Sequence, residues 1–340
     1  MTAALATPVA SLFQRLRVSV VMVQSLAADL RSCPALTTLS NTVCMFPDRE
    51  ERDLDGKNTA AIGSAGRAVL AVLITLAATP VNAQDGCPEG YRLVWSDEFD
   101  VDGLPDPTRW TYDVARNRDG WYNNELQYYS ANRRENARVE AGRLVIEARG
   151  ETPDPATSPD SGGQEFTSAR LVSRGLGQWT YGFFEVRAKV PCGRGTWPAA
   201  WLLPVADVNW PAGGEIDILE HVGHNPGVVH GTVHTTSYNH TRGTERGGSK
   251  RVADACGAFH RYQMLWTPEA INFGIDDVGY FAFRNDGRGD PATWPFDQPF
   301  YAILNLAVGG NWGGAEGVDR RAFPQSLEVD YIRVFQPVAS

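Results

Sequence analysis

The chain has no C-x-x-C pair, no H-E-x-x-H run and no internal repeat. Its five cysteines, Cys33, Cys44, Cys87, Cys192 and Cys256, are spaced too widely for a structural zinc site or a cysteine framework. Basic charge is in deficit: 31 Lys and Arg stand against 40 Asp and Glu, a formal net charge of −9. No Lys/Arg block occurs in the C-terminal part, which argues against a phosphate-binding face and hence against a nucleic-acid partner. Long amphipathic helices are missing; the nearest candidate, around Glu125–Ala131, is short. Long apolar runs are missing too, and the strongest, Ala68–Ala78, is too short to span a membrane. Aromatics are almost absent from residues 1–66, where Phe13 and Phe46 stand alone, and that stretch reads poorly as a domain.

What is abundant points elsewhere. Gly 34, Trp 10, Tyr 11 and Phe 14 suit an all-β fold with Gly-rich turns and a stacking surface. Gly66-Arg67, the apolar run to Ala78 and the small residues ending at Ala83 have the layout of a signal peptide over 67–83. Such a peptide should begin a chain, so residues 1–66 are expected to be an extension that is disordered or comes from a misassigned start. The alternative is a real cytoplasmic extension with an uncleaved anchor. The segment 84–340 is expected to be exported, to the periplasm or the medium, as a monomer without membrane attachment after cleavage. In an oxidising compartment Cys192 and Cys256, each just before a predicted strand, are candidates for a disulfide.

From Gln84 onward, strand-like runs recur between turn signals. They include Tyr91–Trp95, Tyr181–Val190, Ala199–Leu203, Val228–His234, Arg261–Thr267, Phe300–Val308 and Leu327–Phe335. In Tyr181–Lys189, Glu185, Arg187 and Lys189 fall on one face, as a two-residue period requires. Many short strands at this spacing imply a sandwich or barrel. Thr152–Gly163 reads as a surface loop.

The most informative run is Gly213-Gly214-Glu215-Ile216-Asp217-Ile218-Leu219-Glu220-His221. On a strand, Glu215 and Asp217 face one way and Ile216 and Ile218 the other. Strict alternation sends Glu220 to the far side. A β-bulge, one extra residue at Ile218–Leu219, resets the phase and returns Glu220 beside Asp217. Like charges crowded on one face are destabilising, so three carboxylates among aliphatics read as functional. Glycoside hydrolysis uses such a pair, about 5–5.5 Å apart in retaining enzymes. Five regular strand steps would hold the two Glu Cα atoms about 16 Å apart, so the bulge and a concave sheet must shorten the span.

Around this run lie Trp197, Trp201 and Trp210, with Trp121, Tyr122, Tyr128, Tyr129 and Trp312 in Gly/Asn-rich, loop-like contexts. Aromatic faces stack on sugar rings; in a sandwich they also fill the core, and Trp201, inside an apolar run, is open to either reading. Five of the six histidines lie between His221 and His240. They keep a zinc hydrolase open as a minor reading, although no zinc spacing is present. His221 should point away from Glu220, and His234 is expected to hydrogen-bond near the carboxylates.

Gly214–Glu220 resembles the E-x-D-x-x-E signature of glycoside hydrolase family 16, in the bulged form typical of laminarinases. The resemblance covers about Leu93 to Gln336. It includes Trp95-Ser96-Asp97-Glu98-Phe99, Asn123-Asn124-Glu125-Leu126-Gln127-Tyr128-Tyr129, Trp197-Pro198-Ala199-Ala200-Trp201, His230-Gly231-Thr232-Val233-His234 and Asn305-Leu306-Ala307-Val308-Gly309-Gly310-Asn311-Trp312. It implies a β-jelly-roll sandwich of two antiparallel sheets with a concave cleft. Glu215 would be the nucleophile, Glu220 the general acid/base and Asp217 their assistant, with His234 close by. Asn124, Arg170, Trp197, Trp201, Trp210 and Trp312 would line sugar subsites. No cofactor serves catalysis, but a structural calcium on Glu98, the Gly142 carbonyl and Asp330 is implied for many bacterial members; the plainer reading makes both acids surface charges. The implied activity is retaining endo-hydrolysis of β-1,3-glucan, with mixed-linkage β-1,3-1,4-glucan in range. A non-hydrolytic glucan-binding lectin, a galactan-active relative and a transglycosylase are the alternatives.

Overall fold

The fold is that of a computed structural model, which describes residues 87–115 and 117–338. The expected extension and signal peptide lie outside the described residues. In chain order the strands are β1 Tyr91–Asp97, β2 Thr111–Tyr112, β3 Gln127–Tyr129, β4 Ala137–Val139, β5 Leu144–Ala148, β6 Phe166–Ser168 and β7 Arg170–Val172. The long strands follow: β8 Gly182–Lys189, β9 Thr196–Pro204, β10 Glu215–His221, β11 Val228–His234, β12 Arg246–Arg251 and β13 His260–Trp266. The chain closes with β14 Ala270–Ile275, β15 Val278–Arg284, β16 Phe300–Val308 and β17 Gln325–Pro337.

Two antiparallel sheets stack as a jelly roll. The outer sheet runs β15-β14-β13-β8-β17-β5-β4, with β1 also on β17, and the cleft-bearing sheet runs β12-β11-β10-β9-β16-β7-β2. The core lies between them because alternate residues of each strand are apolar. Tyr262, Met264 and Trp266 of β13 are fully buried, and they share one cluster with Leu202, Ile216, Ile218 and Leu219 from the cleft sheet. At roughly 25 cal/mol per Å² of apolar area buried, this inter-sheet layer is the dominant favourable term. On the other face of the cleft sheet, Val172, Tyr301 and Ile303 form a small second cluster that floors the groove.

The candidate helix around Glu125–Ala131 is β3, paired in parallel with β6. Non-local bonds decide this: the Tyr129 amide donates to Asn117 Oδ1, and the Val308 amide donates to the buried Gln127 side chain. The described helices are short 3-10 segments: Asn117–Tyr122, kinked at Gly120 and Trp121, and the single turns His240–Arg242 and Arg320–Ala322. Thr152–Gly163 contains no strand or helix, as expected of a loop. Cys192 and Cys256 are bridged, with Cα atoms 5.8 Å apart, tying the segment before β9 to the turn before β13.

Candidate active site

The acidic run forms β10, and its bulge lies where the phase argument put it. On β11, Asp217 pairs with Thr232 and Glu220 with His230, so two residues of β10 oppose one of β11. On β9, Asp217 pairs with Trp201 and Leu219 with Ala200, leaving Ile218 as the extra residue. Ile218 and Leu219 are both buried in the core. Glu215, Asp217 and Glu220 all line the cleft. Their span now matches four steps of an unbulged neighbour, His230 to His234, or about 13 Å between backbones. Gly214, with φ +84°, turns the chain into the strand where an added Cβ would strike Pro295 and Phe296 at 2.8 and 2.9 Å.

Each glutamate is held by one indole. Trp210 Nε1 donates to Glu215 Oε2 at 3.0 Å, and Trp197 Nε1 donates to Glu220 Oε1 at 3.0 Å. Trp210 and Trp197 therefore orient carboxylates as well as walling the cleft. His234 Nε2 stands 3.4 Å from Asp217 Oδ2 and 3.6 Å from Glu215 Oε1. It sits beside the candidate nucleophile, on the strand register that pairs it with Glu215. His221 is fully buried on the opposite face, and burial pushes it down to about 4.

The electrostatics follow from burial and crowding. Glu220 is raised to about 8, first by desolvation and then by the Asp217 charge. Glu215 is also raised to about 8, by desolvation, then Asp217, with His234 and the Trp210 N–H opposing. Asp217 is raised by burial. Three such groups titrate as a set, and at both glutamates burial outweighs the repulsion from Asp217 as the cause. The set retains a proton at neutral pH, which a general acid requires.

The groove measures about 960 Å³. Its floor shows the two-residue period directly: Trp197, Ala199, Trp201 and Leu203 come from β9, and Tyr301, Asn305 and Ala307 from β16. Trp201 thus faces the cleft, with its indole donating to Asn305 Oδ1 at 2.7 Å. Arg170 lies between two rings, 4.8 Å from the centroids of both Trp121 and Trp201, and pairs with Asp113 at 3.2 Å. Trp312 stands edge-on to Trp197 at 5.4 Å. Asn124 differs from expectation: it is exposed on the rim and donates to Asn311, while its neighbour Asn123 lines the groove. Its positive φ of 57° turns the side chain outward.

Sequence reasoning missed Glu125, Arg174, Tyr301 and His240, which also line the groove. The parity of β16 could have found Tyr301. Glu125 is buried and receives Asn123 Nδ2 at 3.1 Å and Gln127 Nε2 at 2.8 Å, all three within the Asn123–Tyr129 run that carries the resemblance.

Two groups of described residues could hold a metal by distance: Cys192, His221 and Cys256, and Glu215, Asp217 and His234. The first is closed by the disulfide. The second comprises the groups already engaged around the two glutamates. The implied calcium ligands fit poorly. Both Glu98 oxygens accept from Arg333, at 2.9 and 2.8 Å, and Asp330 is paired with Arg187. A hard cation there would have to displace two guanidinium groups.

An antiparallel sheet presenting indole-held glutamates on either side of an aspartate, along a groove of about 960 Å³, defines a glycoside hydrolase of the two-carboxylate class. Comparison with known proteins makes this specific. Residues 124–333 match the model for glycosyl hydrolases family 16, and the chain belongs to that family. It is 54% identical over 276 residues to a beta-glucanase of Rhodothermus marinus, covering 79% of this chain and 93% of the relative. It is 38% identical over 255 residues to a glucan endo-1,3-beta-glucosidase of Cryptopygus antarcticus, covering 72% and 91%. The X-ray structure of the laminarinase from Rhodothermus marinus superposes with a TM-score of 0.69 at 56% identity, over 73% of this chain and 98% of that one.

Proposed function

We propose that the chain is a retaining endo-hydrolase of β-1,3-glucan, with mixed-linkage β-1,3-1,4-glucan as a second substrate. The observation that carries it is the bulged strand β10, which sets Glu215 and Glu220 on one cleft face, each with an indole donor. A glucan chain lies along the groove against Trp197, Trp201 and Trp210. Glu220, protonated, gives its proton to the glycosidic oxygen as the bond to the anomeric carbon breaks. Glu215 bonds to that carbon from the opposite face, forming a glycosyl-enzyme. Glu220, now ionised, takes a proton from water, whose oxygen displaces Glu215 and restores the original anomeric configuration. Asp217 supports both partners by its charge, and His234 offsets part of that charge at Glu215. The identity to two β-glucan hydrolases supports the substrate class. The intact, buried carboxylate set favours hydrolysis over a glucan-binding lectin. Export of the segment from residue 84 is part of the same reading, supported by the signal-like run in the sequence and by the Cys192–Cys256 bridge.

Glu215→Gln should abolish release of reducing ends from laminarin while leaving glucan binding intact. In azide, Glu215→Ala should yield an α-glycosyl azide and Glu220→Ala a β-glycosyl azide, because azide enters from opposite faces in the two variants. Substantial hydrolysis by Glu215→Gln would overturn the nucleophile assignment. Products from laminarin and lichenan, with none from agarose, are expected.

A further inference from the structure

We infer that His240 is a positioning residue for the nucleophile, acting through Trp210; the inference rests on the assignment of Glu215 above. Both glutamates are oriented by indole N–H groups, so the planes of those indoles must be held. At Glu220 the holder, Trp197, is braced edge-on by Trp312, and Trp312 in turn by His230 at 4.9 Å. At Glu215 the holder is Trp210, in the loop before β10, with 38% of its surface exposed. Its nearest flat neighbour is His240, whose ring lies 4.9 Å away and only 35° from parallel. His234 completes the group, 5.9 Å from Trp210 and edge-on to His240 at 5.2 Å.

His240 is itself exposed at the cleft edge, yet its backbone is fixed. It follows Asn239, which is buried and organises the loop. Asn239 Nδ2 donates to the Thr235 and Thr236 carbonyls at 3.0 and 3.2 Å, and its Oδ1 accepts from Thr241 at 2.6 Å. The Thr244 amide closes back onto the Asn239 carbonyl at 3.1 Å. An exposed imidazole on so firmly tied a turn can serve as a fixed plate. With the plate removed, Trp210 gains rotamer freedom and its N–H leaves Glu215 part of the time. The bond is worth about tenfold in rate if it contributes as an ordinary charge-assisted hydrogen bond does.

The test uses the whole chain and reads kcat, KM, the pH profile and Tm on laminarin. The groups facing Glu215 are Asp217 and Glu220 from β10, His234 from β11 and Tyr301 from β16; those facing His240 are His234 and Glu245. The Trp210 N–H holds Glu215 down, so its loss must move the acid limb of kcat/KM to higher pH. His240→Ala should lower kcat about tenfold, shift that limb upward and leave Tm within a degree or two of wild type. Trp210→Phe, which keeps a ring but removes the N–H, should do the same, and the double variant should be no worse than Trp210→Phe alone. His240→Phe, a plate that cannot titrate or hydrogen-bond, should restore both kcat and the limb. Asn239→Ala should mimic His240→Ala in part. Full activity in His240→Ala would overturn the inference while leaving the Glu215 assignment standing. So would failure of His240→Phe to restore activity, which would make the imidazole a direct sugar contact, or additive losses in the double variant.

Discussion

Asp217 is the most deeply set of the three carboxylates and sits between the two that do the chemistry. Its charge is the second cause, after burial, of the upward shift of Glu220. Asp217→Asn removes that charge, so Glu220 should release its proton at lower pH. The basic limb of kcat/KM should therefore move downward, measurable by a pH–rate profile, with kcat reduced because the acid form is less populated at neutral pH. The same crowding acts on stability. Glu215 is raised above its unfolded value, so the folded protein loses stability as pH rises from about 4.5 toward about 8. Glu215→Gln carries no charge to bury. Its Tm should exceed that of wild type at neutral pH, and the gap should close in acid. An equal gap at pH 4 and pH 8 would show that ionisation is not the cause.

At the scale of the strand, the site depends on a match between β10 and β11. The bulge places Ile218 and Leu219 side by side in the core, and Gly231 is the residue opposite them on β11. Gly231 has no side chain because the space below is taken: an added Cβ would meet the Tyr280 hydroxyl and, at 2.8 Å, a Phe273 ring carbon. Both belong to the outer sheet, in β15 and β14. Gly231→Ala should therefore push the two sheets apart beneath Glu220, costing about 1–3 kcal/mol as overpacking does. A denaturant titration would read this as a lower midpoint. Activity should fall with it, since His230 and Glu220 share that register.

At the scale of the whole molecule, the groove depends on long-range ties. The Cys192–Cys256 bridge spans a sequence separation of 64 and fastens the segment leading into Trp197 to the outer sheet. By the loop-closure account it contributes up to about 4 kcal/mol. Replacing both cysteines by serine should lower Tm by several degrees, read by calorimetry without reductant, and added reductant should then have no further effect on that variant. Among the described residues, no helix is long and apolar enough to cross a membrane.

Much of this was readable in the chain order. Strand-like runs bounded by turn signals gave Val228–His234 and Phe300–Val308 with their observed bounds, because β-branched and aromatic runs between turn residues are a local signal. The broken phase of Glu215, Asp217 and Glu220 located the bulge and the site, since only one extra residue restores a common face. Composition does not reveal partners that are distant in sequence. Whether Trp201 faced the core or the cleft, that Trp197 and Trp210 grip the two glutamates, that Asn124 turns to Asn311, and that Glu98 and Asp330 are given to Arg333 and Arg187 were all decided by tertiary packing. Gln127 became a strand residue because its amide is satisfied by Glu125 and the Val308 backbone, 181 positions away in the latter case. The sequence determined which strand carries the carboxylates and that they share a face. Only the stacked sheets, by desolvating those groups and bringing each an indole from another segment, decided how they are held and how tightly they keep a proton.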